Sequence, residues 1–204
     1  MEYLKRNLLD IAYKKRASHL GSCFSSLGII DDIFRKKRGD DIFVLSSGHA
    51  ALALFVVIEK YYWHNAEQLA DEQGCHPHLN VEKGIYCSTG SLGLGLLVAI
   101  GRAIADSNRV VHCLISDGEC AEGSIWEGLR FIQENKLTNI KVYVNINGYA
   151  AYDAIDVAYL EKRLLAFLPE INLCHTSVEA YPFLCGLNAH YHIMSESDYA
   201  SAIQ

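Results

Sequence analysis

A chain of 204 residues, half of them apolar and 21% charged, can build one sizeable core and carries too little charge for wholesale disorder. Its 18 basic against 24 acidic residues leave a formal net charge of -6, which argues against a nucleic-acid binder or an anionic-membrane binder, since both rely on a basic field. Seven cysteines, an odd number with no CxxC pair, point to buried reduced thiols in a cytoplasmic protein rather than a disulfide framework or zinc ribbon.

The opening segment, Met1 to Arg16, is charged throughout and does not read as a signal peptide. No apolar run is long enough to span a bilayer. The run Asp41 to Leu45 predicts a short strand, ended by Ser46-Ser47-Gly48, and Ala50 to Tyr62 predicts a helix. Leu92 to Ala105 predicts a second helix, with Leu97, Ile100 and Ile104 on one face, and Leu92, Leu96 and Leu97 read as core residues. Val110 to Ile115 is a β-branched run typical of a buried strand, stopped by Ser116-Asp117-Gly118. His112, inside that run, reads as a satisfied core histidine. A helix follows over Gly123 to Lys136, with Ile125, Leu129 and Ile132 aligned, and then a strand over Ile140 to Ile146. The pattern closes with a helix (Val157 to Phe167), a strand (Ile171 to Cys174), a helix (Val178 to Leu187) and a last strand (His190 to Met194). With no repeat, low-complexity tract or linker, a single domain over 1–204 is expected. The alternation predicts an α/β fold with a mainly parallel sheet and helices on both faces.

Ligands of such sheets sit at the carboxyl ends of the strands, so the tips after Leu45, Ile115 and Ile146 carry the interest. Asp117 and Asn147 stand on two of them. A carboxylate, an amide oxygen and a backbone carbonyl are hard ligands that suit Mg²⁺ or Ca²⁺, with phosphate oxygens and water completing the shell. The helix opening near Gly123 offers free N–H groups toward an anion. Residue chemistry alone therefore suggests a metal-bridged diphosphate site.

The motifs at these tips resemble those of a known family. Asp117-Gly118, followed thirty positions later by Asn147, resembles the thiamine diphosphate motif, Gly-Asp-Gly with a spacer and then Asn. Ser18-His19-Leu20-Gly21, Ser46-Ser47-Gly48-His49-Ala50, Gly74-Cys75-His76-Pro77, Thr89 to Gly95 and Glu122-Gly123 occur in the order seen in transketolases, over roughly residues 10 to 195. The chain resembles the N-terminal, diphosphate-binding domain of a transketolase-like enzyme. The resemblance implies that Asp117, Asn147 and the carbonyl of Tyr149 bind Mg²⁺. Gly118 and His49 would lie against the diphosphate, and Gly90 and Leu92 would border the thiamine rings. His19 and His76 correspond to active-site histidines. Glu122 and Glu127 correspond to carboxylates near the subunit interface that link to the partner's cofactor-activating Glu. The implied chemistry is the cofactor's: a thiazolium carbanion adds to a ketose carbonyl, and C–C cleavage leaves a two-carbon ketol unit for an aldose acceptor.

The sequence departs from the family in three ways. Ser116 stands where the family has Gly. The pyrimidine-binding domain is absent from these residues, which implies a split enzyme: the partner would be a pyrimidine-domain subunit, with a second copy of this chain in a heterotetramer. His190 and His192 alternate within a predicted strand, so the family's further active-site His is given no counterpart. Two other readings stay open, a related enzyme acting on a 2-oxo acid and a degenerate, non-catalytic subunit. Among residues outside the resemblance, His78 reads as a bystander beside His76, and Cys120 as a small turn residue rather than an activated thiol.

Overall fold

The computed structural model of the chain describes residues 1–203; Gln204, the last residue of the expected domain, lies outside the described residues. Four apolar runs form strands β1 (Ile42–Leu45), β2 (Val111–Ser116), β3 (Ile140–Ile146) and β4 (Asn172–His175). They pair in the order β1-β2-β3-β4, every pair parallel. Leu45 lies opposite Leu114, Ser116 opposite Asn145 and Ile146 opposite His175, so the carboxyl ends finish nearly level.

Period-two alternation divides the strand side chains between two cores. Phe43, Leu45 and Leu114 face a core shared with α1 (Glu2–Lys15), α2 (Leu20–Lys36), α3 (Ala51–Tyr62) and α4 (Ala66–Gln73). Ile42, Val44, Cys113, Ile115, Val142 and Val144 face a core shared with α5 (Leu94–Ala105), α6 (Gly123–Glu134) and α7 (Val157–Phe167). Helices thus cover both faces of a parallel sheet, the architecture that the sequence pattern predicts. No helix among the described residues is long and apolar enough to cross a membrane.

The charged opening segment is an amphipathic helix. Leu4, Leu8, Leu9, Ile11 and Ala12 of α1 are buried, and its charged positions face outward. Each fully buried leucine there contributes about 1.5–3 kcal/mol relative to exposure.

Three expectations are corrected. The helix expected over Val178 to Leu187 is an irregular segment, because Pro182 offers no backbone donor and Gly186 turns with φ 52°. The strand expected over His190 to Met194 does not form. His190 lies in the short helix α8 (Asn188–Tyr191), an extended stretch follows, and α9 (Glu196–Ala202) begins with a capping box between Ser195 and Asp198. The alternation at 190–194 reflects one helical turn running into an extended stretch, in which Met194 alone is buried. The inner face of α5 is also different: Leu96, Ala99, Ile100 and Ala103 are buried, whereas Leu97 and Ile104, and Leu92 just before the helix, are exposed rather than in the core. The helix starts at Leu94 rather than Leu92, because Gly93 sits at φ 78° just before it. Gly95, whose added Cβ would stand 2.5 Å from Ser46 Cα, seats the opposite face against the sheet end.

His112 is buried but only half satisfied. Its Nδ1 lies 3.1 Å from the Tyr143 hydroxyl, while Nε2, 3.7 Å from Asp41 Oδ2, makes no hydrogen bond. Gly21, at the start of α2, brings the C-terminal segment in: a Cβ there would stand 2.8 Å from Ala189 Cβ, so α8 rests directly on α2.

Candidate functional site

A cavity of about 360 Å³ opens at the carboxyl ends of β1, β2 and β3. Every residue carried over from the resemblance lines it except Glu127, which is exposed one turn along α6.

One wall is the loop pair after β2 and β3. Asp117 is 2% exposed. Its Oδ2 accepts the backbone N–H groups of Asn147 at 2.8 Å and Gly148 at 2.7 Å, and its Oδ1 accepts Gly118 N–H at 2.9 Å. One carboxylate thus ties together two loops that lie thirty residues apart. Burial pushes its pKa up to about 6 even though the backbone donors pull it down. Asn147 Oδ1 accepts Tyr149 N–H at 3.0 Å and keeps a second lone pair. A Cβ on Gly118 would stand 3.3 Å from Ala150 Cα and 3.7 Å from the Tyr149 carbonyl oxygen, so the glycine keeps this corner open. Among the described residues no three His, Cys, Asp or Glu side chains form a metal-ligand group. The donor set here is one carboxylate, one amide and one carbonyl, a combination that leaves room for phosphate oxygens.

The opposite wall is a cluster of imidazoles. His19 is the N-cap of α2, held at φ 63°. Its Nδ1 lies 2.8 Å from Ser18 Oγ, and its backbone N–H donates to the carbonyl of His190 at 2.9 Å. His49 sits in the 3-10 turn that follows β1. The ring centroids are 4.4 Å apart for His19 and His190, 5.5 Å for His19 and His49, and 5.4 Å for His49 and His190. His76 completes the wall from a loop closed by Thr89 N–H on the Pro77 carbonyl. That loop approaches because Gly48 has no side chain: a Cβ there would fall 2.1 Å from Thr89 Oγ1. His78 does not line the cavity.

Burial first, and the neighbouring rings second, push His49 down to about 3 and His19 down to about 4. Burial alone lowers His190. These three rings are therefore neutral at neutral pH, and each can donate from one nitrogen and accept at the other. The values for His19 and His49 fall below the ordinary 6.5, so between pH 6.5 and about 4 the unfolded chain holds protons that the native chain lacks. The stability tied to the neutral rings is complete above pH 6.5 and is lost as pH falls toward the folded values. The raised carboxyl of Asp117 works in the opposite direction over part of that window. The expected result is a melting temperature that drops from pH 7 to pH 5, with a smaller drop in His49→Gln. Equal drops in the two proteins would contradict the assignment.

The rim carries Leu92, partly exposed, and Glu122, the exposed N-cap of α6. Cys120 is buried with its thiol pushed up to about 12, which leaves it inert as an ionised nucleophile.

Sequence reasoning missed two residues. His190 is in the cluster, and its role was set aside only because the 190–194 alternation resembled a strand; the Pro182 and Gly186 breakers just upstream were the available warning. Glu119, in the loop after Asp117, is fully buried and accepts hydrogen bonds from Ser46 Oγ, Gly93 N–H and Ser116 N–H. No local pattern distinguishes it from a solvated turn carboxylate.

Comparison with known proteins places this site in context. A family described as "Transketolase, thiamine diphosphate binding domain" matches residues 10–162. An apulose-4-phosphate transketolase subunit from Phocaeicola vulgatus is 33% identical over 164 residues, a match covering 70% of this chain and 58% of that one. Human transketolase is 32% identical over 178 residues, covering 74% of this chain and 28% of that one. The chain therefore spans between a quarter and three fifths of the length of these relatives. Transketolase from Leishmania mexicana shares the fold, with a TM-score of 0.71 at 17% identity, over 97% of this chain and 39% of that one.

Proposed function

The chain belongs to the transketolase thiamine diphosphate binding domain family, and on that ground we propose that it is the diphosphate-binding subunit of a split transketolase-type enzyme. In this proposal residues 1–204 form a single diphosphate-binding domain. It works in the cytoplasm with thiamine diphosphate and Mg²⁺, beside a pyrimidine-domain subunit, and transfers a two-carbon ketol unit from a ketose or ketose phosphate to an aldose. The observation that carries the proposal is the convergence, at one cavity, of a buried backbone-clamped carboxylate and three neutral imidazoles.

The residues present fit the cofactor. Asp117 has no basic partner among the described residues, and its raised pKa is what an adjacent cation would reverse. Asp117, Asn147 and the Tyr149 carbonyl would hold Mg²⁺, and Gly118 leaves room for the diphosphate. Leu92 and Gly90 would border the rings, and Glu122 stands at the rim. When bound, the cofactor supplies the nucleophilic carbon that cleaves a ketose C–C bond and carries the two-carbon fragment. This chain's part is to position substrate hydroxyls and move their protons. His19, His49, His76 and His190 surround the space a sugar would occupy, and the neutral imidazoles of His19, His49 and His190 can take a proton from a hydroxyl and return it to an alkoxide.

Association is supported by an apolar stripe that starts at the cavity rim. Leu94, Leu97, Val98 and Ile104 on α5 are 39% to 55% exposed, and Gly101 lies among them. An uncharged helix face of this size continuing from Leu92 suits burial against a second copy or the pyrimidine-domain subunit. The cytoplasmic assignment is supported by seven free cysteines.

The test is calorimetric titration of thiamine diphosphate with Mg²⁺ into the chain alone and mixed with the pyrimidine-domain subunit, followed by ketose donor and aldose acceptor. Binding in the mixture, with ketol transfer to the aldose, is the expected result. No binding in either arm would sink the cofactor assignment and leave a non-catalytic subunit. Turnover only with a 2-oxo acid would sink the ketol assignment.

A further inference from the structure

We infer that Glu119 is a positioning residue that holds three walls of the cofactor cavity in register, a role that rests on the cofactor reading above. The carboxylate is 0% exposed. Its Oε1 accepts Ser46 Oγ–H at 2.6 Å and Gly93 N–H at 2.9 Å. Its Oε2 accepts Ser116 N–H at 3.0 Å, and Ser116 Oγ lies 3.5 Å away. Among the described residues no basic side chain pairs with it.

Each partner adjoins a different part of the site. Ser46 immediately follows β1, three residues before His49. Gly93 follows Leu92 and opens α5. Ser116 ends β2 and immediately precedes Asp117. One side chain therefore joins the imidazole wall, the ring-bordering turn and the metal-binding loop. The start of α5 also packs without slack against Ser46 and against the start of α6. A Cβ on Gly95 would stand 2.5 Å from Ser46 Cα, and one on Gly93 would stand 2.4 Å from Ser124 Oγ and 2.9 Å from Glu122 Cβ.

The chemistry of the tie explains why it is a carboxylate. A buried carboxylate without a cation is costly unless its lone pairs are filled, and a neutral side chain would hold two segments more cheaply. Two backbone N–H groups and a hydroxyl converge here, and the two oxygens of the Glu119 carboxyl meet them in a fork. Glutamine keeps the shape but presents an NH₂ to one of those donors.

The experiment measures thiamine diphosphate binding with Mg²⁺ by calorimetry, on the full chain with its pyrimidine-domain subunit, well below the melting temperature of every variant. Glu119→Gln is expected to bind about tenfold more weakly or worse, the scale seen when a hydrogen-bond partner behind a ligand is lost. Leu8→Ala, in the α1 core away from the cavity, is the stability control; it is expected to lower the melting temperature and leave the affinity unchanged. Should Glu119→Gln fail to fold, Ser46→Ala removes one donor only, and it too is expected to weaken binding. Affinity equal to wild type in a folded Glu119→Gln, or in Ser46→Ala where that is the readable variant, overturns the positioning role and leaves the cofactor reading intact. Wild-type protein that binds no cofactor overturns both.

Discussion

Asp117→Asn is expected to weaken binding of thiamine diphosphate with Mg²⁺ by more than about 100-fold, beyond the losses seen on removing an indirect partner of a metal ligand. The physical case has two parts. Asp117 is the one carboxylate in the proposed donor set, so its loss removes the only formal charge that this set offers the cation. It is also the acceptor for three backbone N–H groups, and an amide in its place turns NH₂ toward at least one of them. Each donor left unsatisfied costs about 1–3 kcal/mol when buried. Two effects then oppose each other in stability. The lost hydrogen bonds destabilise the loops, and removal of a carboxyl held at about 6 by burial relieves a desolvation cost. The variant is therefore expected to melt lower but remain folded, and calorimetry on it separates ligation from folding. Asp117→Ala, which keeps no acceptor, should lose more stability. Wild-type affinity in folded Asp117→Asn would remove Asp117 from the metal site.

His190→Ala is expected to lower kcat for ketol transfer by about 10² to 10⁴, the range for loss of a proton-transferring group, with cofactor affinity unchanged. The backbone contact survives the substitution, because His19 N–H is accepted by the His190 carbonyl rather than its ring. What is lost is an imidazole 4.4 Å from His19 and 5.4 Å from His49. The variant therefore tests the ring alone. Steady-state kinetics with the pyrimidine-domain subunit, beside the cofactor titration, gives the comparison. Unchanged kcat would make His190 a packing residue against His19, and a loss of cofactor binding would move it to the diphosphate side.

The strands and the motif at each tip were legible from sequence because they are local. A β-branched run such as Val111 to Ile115 is read from its own residues, and Asp117-Gly118 follows it directly. Motif spacing pointed to the proximity of Asp117 and Asn147, and in the structure Asn147 N–H and Gly148 N–H both donate to one oxygen of Asp117. The C-terminal segment was not legible. Its apolar positions, Val178, Leu184, Ala189 and Met194, follow neither a helical nor a strand period, because they are buried by contact with α2 and its neighbours rather than by regular structure. The exposed face of α5 was misread because the helix is almost wholly apolar, so no hydrophobic stripe marks which side goes in, and the close approach of Gly95 to Ser46 is a tertiary contact.

Neighbours along the chain were enough to dictate the alternation of strand and helix as far as β4, and with it the level strand ends at which the cavity opens. Each of these rests on a pattern of period two or of fixed spacing. Long-range packing settled the rest: His190 joins His19 and His49, Glu119 joins three walls, and α5 leaves Leu94, Leu97, Val98 and Ile104 outside. Those are contacts between residues far apart in the chain. Which of many polar or apolar side chains meets another is set by how the helices and loops seat against the sheet, and no single segment contains it.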